Sequence, residues 1–289
     1  MIRVGIVGAE NSHTVAIAKV LNVTKRVPGA RVTHVWGETS AYAHAAADAG
    51  QIPDIVSRAE QMIGEVDGVV VDHRHPVEHL PAAKPFLEAG LPLFVDKPFC
   101  YRTTEGRRFI ARAKALKVPV CSFSVLPKQE SFRKLRKKIF KIGALQSVSI
   151  TGPCDIKSKW GGIFFYGIHQ IDMLLRIIGY DFCGGTVTKG RRNNHTATVL
   201  FRSGAVATLN LIGGGSPEFH LSAIGEKGRV DGVVSFDDSM YLSGVKDFVR
   251  MFKTGKTEET RETILGPVSV LEGLEKSISK SYTRVNFRL

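Results

Sequence analysis

Leu91-Pro92-Leu93-Phe94-Val95-Asp96-Lys97-Pro98 is an apolar run that stops on an acid, a lysine and a proline. An apolar run of this length reads as a buried parallel strand, and such a strand delivers its carboxyl-end residues into the crevice where open α/β sheets bind ligands. Lys97 is therefore placed for chemistry. Partial desolvation there favours loss of the ammonium proton and suits the lysine to proton exchange near neutral pH. Pro98 ends the strand because it lacks the N–H that would continue the ladder.

The neighbouring sequence repeats the same unit on both sides. Strand patterns at Gly68–Val71 and Pro119–Ser124 flank it, with helical patterns Val77–Ala89 and Thr104–Leu116 between. Toward the N-terminus come Val4–Val7, a helix to about Asn22, Arg31–Trp36, and an alanine-rich helix to Ala49. Alternating strands and helices predict an α/β, doubly wound parallel sheet. Beyond Ser124 the rhythm changes. A basic helix, a strand at Gln146–Thr151 and a helix near Gly167–Ile178 precede four close-set runs: Gly185–Lys189, His195–Phe201, Ala205–Ile212 and Phe219–Ile224. Glycine-containing turns between them predict antiparallel hairpins. The expected division is residues 1–123 as one domain and 124–289 as an α+β domain on a largely antiparallel sheet. Terminal helices are expected at about Gly244–Phe252 and Pro267–Ser279.

With 289 residues, 43% of them hydrophobic, the chain is long enough for two cored domains. No stretch approaches the roughly eighteen apolar residues of a membrane span, and the apolar start is too short for a signal peptide. Cys100, Cys121, Cys154 and Cys183 form no CxxC pair, which points away from a zinc ribbon or a disulfide scaffold and toward a reducing cytoplasm. The net charge of +13 raises the question of nucleic acid. Its densest cluster, Arg133 to Lys141, interleaves with Phe132, Leu135, Ile139 and Ile142 at helical spacing, so those charges read as the solvated face of an amphipathic helix. An anionic small molecule is the partner this balance favours, with no nucleic acid and no membrane.

Three further segments carry candidate chemistry. Gly8-Ala9-Glu10-Asn11-Ser12-His13 follows the first strand and opens the first helix, where backbone N–H groups meet a pyrophosphate. Glu10 and His13 stand where the GxGxxG pattern has its second and third glycines, and Ser12 is a candidate helix cap. Gly37 holds the place of the ribose-binding acid, leaving Glu38 as a substitute one residue later; with no arginine following, NAD is favoured over NADP. Asp72-His73-Arg74-His75-Pro76-Val77-Glu78-His79 sets His75 and His79 four apart on a helix beginning near Pro76, a conceivable metal spacing with His73, Glu10 and His13. Helix capping and ligand contact are simpler uses of these histidines, and no metal is assigned. In Gly161-Gly162-Ile163-Phe164-Phe165-Tyr166-Gly167-Ile168-His169-Gln170-Ile171-Asp172, His169 and Asp172 share a helical face.

Taken in order, these segments resemble the glucose-fructose oxidoreductase, inositol dehydrogenase and rhizopine catabolism (Gfo/Idh/MocA) family over nearly the whole chain. Gly68 to Phe99 carries the likeness most strongly, with His79, Glu88-Ala89-Gly90, and Asp96-Lys97-Pro98 where the family has Glu-Lys-Pro. The segment ending His169-Gln170-Ile171-Asp172 is similar to the family's GGxxxDxGxHxxD, one residue shorter, with Phe165 replacing its internal aspartate. The resemblance implies an N-terminal Rossmann domain, a C-terminal sheet that mediates a homo-oligomer (dimer or tetramer), and NAD(P)-dependent chemistry on sugars or polyols. It also implies a cis Lys97–Pro98 peptide, proton transfer assisted by Lys97, and His169 as the active-site histidine. Asp172 follows the helix pattern and is carried with them as a candidate catalytic residue. The expected cofactor contacts are Gly8, Ala9, Glu10, Asn11, Ser12, His13, Glu38, Asp72, His73, His79, Asp96 and Lys97. Two other readings stand beside the dehydrogenase: a non-catalytic ligand sensor that keeps the fold, favoured by Glu10, His13 and Phe165, and a metal-dependent lyase or hydrolase using His73, His75 and His79.

Overall fold

The structure is a computed structural model and describes residues 1–215 and 218–287. Its chain forms two compact units, the first made of Met1–Cys100, Thr104–Phe123 and Tyr241–Thr260. Strand β1 (Ile2–Val7) leads through α1 (Ser12–Ala18) and a wide π turn at Lys19–Val23 to β2 (Ala30–Trp36). Then follow α2 (Ser40–Gly50), β3 (Asp54–Ile55), β4 (Gly68–Val71), α3 (His79–Glu88), β5 (Leu93–Val95), α4 (Thr103–Leu116) and β6 (Val120–Cys121). All six strands pair in parallel in the order β3-β2-β1-β4-β5-β6. The order reverses between β1 and β4, and this switch point is where such sheets open a binding crevice. Backbone bonds from Gly8 N–H to the Trp36 oxygen, Asp72 N–H to the Val7 oxygen and Asp96 N–H to the Val71 oxygen set Gly8, Asp72 and Asp96 side by side along the carboxyl edge.

The second unit comprises Tyr101–Thr103, Ser124–Met240 and Arg261 onward. It contains α5 (Glu130–Ile139), β7 (Leu145–Pro153), α6 (Ile163–Ile178), β8 (Phe182–Lys189), β9 (His195–Phe201), β10 (Val206–Ile212), β11 (Phe219–Gly225) and β12 (Gly228–Val234). After β12 the chain returns to the first unit as α7 (Leu242–Thr254), then completes the second with α8 (Arg261–Ser279) and β13 (Val285–Asn286). Seven strands form a mixed sheet, β12-β11-β7-β10-β9-β8-β13. β7 and β10 pair in parallel, and every other neighbour is antiparallel. The α/β first unit and the largely antiparallel second sheet match the expected fold class.

Several local expectations change. Tyr241–Thr260 pack with the first unit, where Phe248 of α7 stacks on Phe94 of β5 at 4.9 Å, so the division is not a contiguous 1–123 and 124–289. β3, β12 and β13 escape the pattern reading because the first and last are two residues long and β12 carries Gly228, Arg229, Asp231 and Gly232. α6 begins at Ile163, four residues before the predicted start. α5 buries Phe132, Leu135 and Ile139, as its spacing predicts. Among the described residues no helix is long and apolar enough to cross a membrane.

Candidate active site

The turn after β1 is shaped by what lies against it. Gly8 has φ of +110°, and a Cβ there would stand 2.7 Å from the Asp72 carbonyl carbon and 2.9 Å from the His73 nitrogen, so this first glycine is required by both conformation and space. Gly37 is also sterically fixed, because a Cβ would meet the Ala43 nitrogen at 2.8 Å and the Ala9 Cβ at 2.9 Å. No acid fits at that position. Glu38 reaches back instead, and its Oε2 accepts from the N–H groups of Ala9 (2.8 Å) and Glu10 (2.9 Å). Its other oxygen, Oε1, is buried without a hydrogen-bond partner among the described residues. A buried acceptor beside a glycine turn fits the hydroxyl of a nucleotide ribose.

The remaining turn residues build a polar cluster at the ends of β4 and β5. Asn11 precedes α1 without capping it; its Nδ2 donates to Asp72 Oδ1 (2.9 Å) and Asp96 Oδ2 (3.3 Å). Ser12 is the first helical residue, not the expected cap. His13 places Nδ1 3.0 Å from Asp96 Oδ2 and rests its ring 5.1 Å from that of Tyr241. Turned this way, the imidazole occupies a position where the usual pattern has no side chain. Thr14, which sequence reasoning overlooked, joins Gly8 and Asp72 through its hydroxyl. Its only signal is a polar residue three and four positions before buried Ile17 and Ala18.

Lys97 is 9% exposed, with Nζ 3.7 Å from Asp96 Oδ2, and the Lys97–Pro98 peptide is cis as expected. Burial works against the Asp96 charge, but the charges of His13 and Lys97 and the His13 hydrogen bond outweigh it and hold this carboxyl below the usual range. Asp72 is fully buried and moves the opposite way: burial, reinforced by the charge on Asp96, raises it well above the usual range.

The histidines of the Asp72–His79 segment do not converge. α3 begins at His79, so His75 lies in the preceding turn, where its Nδ1 accepts from the Val77 N–H. His79 is fully buried with its ring nitrogens 2.8 Å from the carbonyl oxygens of Pro98 and His73. Those carbonyls favour protonation, because a neutral ring has a single hydrogen to offer the two of them, while burial opposes the charge. Burial also lowers His73, which stacks at a tilt 5.8 Å from Trp36 and keeps Nδ1 unpartnered among the described residues. With both His79 nitrogens committed, the metal-dependent lyase or hydrolase reading loses its ligand set. His13, Asp72 and Asp96 approach one another within 4.8 Å, but the hydrogen bonds described above already link them to each other, Asn11 and Thr14, and we read them as a polar cluster.

In the second unit, His169 exchanges a 2.7 Å hydrogen bond with Ser124 through Nδ1 and lies edge-on to Tyr166 and Phe219. Asp172 accepts from the Ser124 N–H (2.9 Å) and from Arg176 Nε (2.7 Å), a positioning role. Ser124, known from sequence only as the end of a strand pattern, is thus the residue joining the two. Phe165 meets Tyr166 edge-on.

Residues 2–123 match a family described as an oxidoreductase family with an NAD-binding Rossmann fold. No curated protein sequence matches the chain. Among solved structures, myo-inositol dehydrogenase from Lactobacillus casei in complex with NAD(H) and myo-inositol superposes with a TM-score of 0.85 at 16% identity, covering 100% of this chain and 97% of that one. Myo-inositol 2-dehydrogenase from Lactobacillus plantarum gives 0.85 at 17% identity over 99% of each chain. An oxidoreductase from Agrobacterium radiobacter in complex with NAD+, L-tartaric acid and magnesium gives 0.83 at 14% identity, covering 99% and 98%. At these identities the likeness is one of fold.

Proposed function

We propose that the chain, whose residues 2–123 match the Gfo/Idh/MocA oxidoreductase family model, is a dehydrogenase that moves a hydride between NAD and a carbinol or carbonyl carbon of a sugar- or polyol-like substrate. The observation that carries the proposal is Lys97, buried at the end of β5 beside the ionised Asp96. Bound nicotinamide supplies the hydride acceptor or donor. Loss of hydride from a carbinol requires its hydroxyl proton to leave; Lys97 takes that proton as the neutral amine in oxidation, becoming the ammonium, and gives it back as the ammonium in reduction. Asp96 positions the Lys97 nitrogen. His169, oriented by Ser124 and with its helix anchored through Asp172, holds the substrate hydroxyl or relays the proton. Glu38 Oε1 accepts from the ribose. In this reading the protein works in the cytoplasm as a homo-oligomer built on its second sheet. The reading is tested by following NADH absorbance with a panel of inositols, aldoses and sugar acids. Turnover with one polyol class supports it; NADH binding without turnover on any of them assigns the protein to the non-catalytic sensor reading.

Cofactor choice gives a sharper expectation. The Glu38 carboxylate would face the 2′-phosphate of NADP, so Glu38→Gln is expected to shift the NADH-to-NADPH affinity ratio toward NADPH by about tenfold, the worth of one charge-assisted contact. Fluorescence titration with both cofactors reads the ratio. An unchanged ratio would remove Glu38 from the ribose site.

A further inference from the structure

The two buried carboxyl groups at the strand ends can be told apart by counting hydrogens. Thr14 Oγ1 lies 2.7 Å from the Gly8 carbonyl oxygen and 2.6 Å from Asp72 Oδ2. A hydroxyl has one hydrogen, and a carbonyl oxygen can only accept. Were Asp72 a carboxylate, one of these contacts would press two oxygens together with no hydrogen between them. The count closes when Asp72 Oδ2 carries a proton and donates it to Thr14, which in turn donates to Gly8. The other oxygen of Asp72 accepts one Asn11 amide hydrogen, while the second amide hydrogen, His13 and Lys97 all lie toward Asp96 Oδ2. The donors of the cluster thus converge on one carboxyl group and leave the other to supply a hydrogen itself.

We propose that Asp72 is a neutral carboxylic acid and acts as a positioning residue for the dinucleotide turn, tying β4 to the Gly8 carbonyl without adding a negative charge beside the phosphates. This rests on the reading of Gly8 to His13 as a cofactor turn. Glu10, Glu38 and Asp96 already bring three carboxyl groups to that neighbourhood, and a fourth charge would oppose a pyrophosphate and strain the Asp96 pair. The ionisable groups around Asp72 are His13 on α1, Asp96 and Lys97 after β5, His73 following it in the chain and His79 on α3, with the Tyr241 ring against His13. A hydrogen donated by Thr14 and the Lys97 charge would favour ionisation of Asp72, whereas burial and Asp96 oppose it more strongly.

Infrared difference spectra of the full chain at neutral pH, wild type against Asp72→Asn, test the protonation. The expected result is the C=O stretch of a protonated carboxyl group in the wild type, absent in Asp72→Asn and displaced in Thr14→Val, which keeps the acid but removes its acceptor. A spectrum without that band overturns the proposal. NADH titration across the pH range in which the Asp72 infrared band disappears tests the positioning role: wild-type affinity is expected to fall by about threefold or more as Asp72 ionises, a fall that Asp72→Asn does not show. Parallel curves for the two proteins overturn that role. If the band is present but NADH binds at no pH, the cofactor reading fails and the neutral acid stands. The melting temperature supplies a check that needs no ligand. A carboxyl raised by folding contributes stability below about pH 4 that is lost as pH rises through its folded value. Wild type should therefore lose melting temperature relative to Asp72→Asn as pH climbs, and the opposite trend overturns the assignment.

Discussion

Replacing Lys97 with methionine is expected to lower kcat by about a hundredfold or more on whichever polyol the panel identifies, the usual worth of a positioned proton-transfer group. NADH affinity should change little. The side chain is nearly buried, with its nitrogen 3.7 Å from Asp96 Oδ2, so methionine keeps the volume while removing the proton carrier. His169→Ala should cost less if the histidine only orients substrate, and as much if it carries the proton. A double variant no slower than the slower single variant would mean that the two groups act as one unit. Full turnover by Lys97→Met with none by His169→Ala would reverse the assigned roles, and full turnover by both would place the chemistry elsewhere.

Gly8→Ala should be the most damaging single methyl group in the first unit. Its backbone lies in the left-handed region, at a cost of about 1–2 kcal/mol for an L side chain. The new Cβ would also press on the Asp72 carbonyl and the His73 nitrogen, backbone atoms of β4's exit that cannot swing aside, adding about 1–3 kcal/mol of overpacking. Together these predict about 2–5 kcal/mol of lost stability, read as a melting temperature lower by several degrees. NADH binding should disappear in the fraction that folds, because the strand exit that carries Asp72 must move. A variant that melts and binds like wild type would show that the close approach is not a feature of the molecule.

Fold and site differ in how much of each the sequence exposes. The parallel sheet is legible because each central strand is an unbroken apolar run, as in Gly68–Val71, and each is followed by a helical stretch of opposite pattern. What escapes is set by contacts distant in sequence. α7 joins the first unit because Phe248 finds Phe94, and nothing in the local pattern of Leu242–Thr254 says which core it will enter. In the site, Lys97 is legible from strand position alone. Glu38 is legible only as a substitute; the reason an acid cannot stand one residue earlier is the pressure of Ala43 and Ala9 on Gly37. The pairing of Ser124 with His169, and the link from Thr14 to Asp72, join residues 45 and 58 apart in sequence. Local periodicity carries no signal for such pairs. His13 reads as damage to a glycine fingerprint when taken as a letter, and as a partner of Asp96 once its ring is placed.

Calorimetric titration of the purified chain with NAD, NADH, NADP and NADPH tests most directly that this turn holds a dinucleotide. The account predicts saturable heat with NADH, weaker binding of NADPH, and loss of the NADH signal in Gly8→Ala. No heat from any of the four at millimolar concentration, in protein shown to be folded, would contradict it.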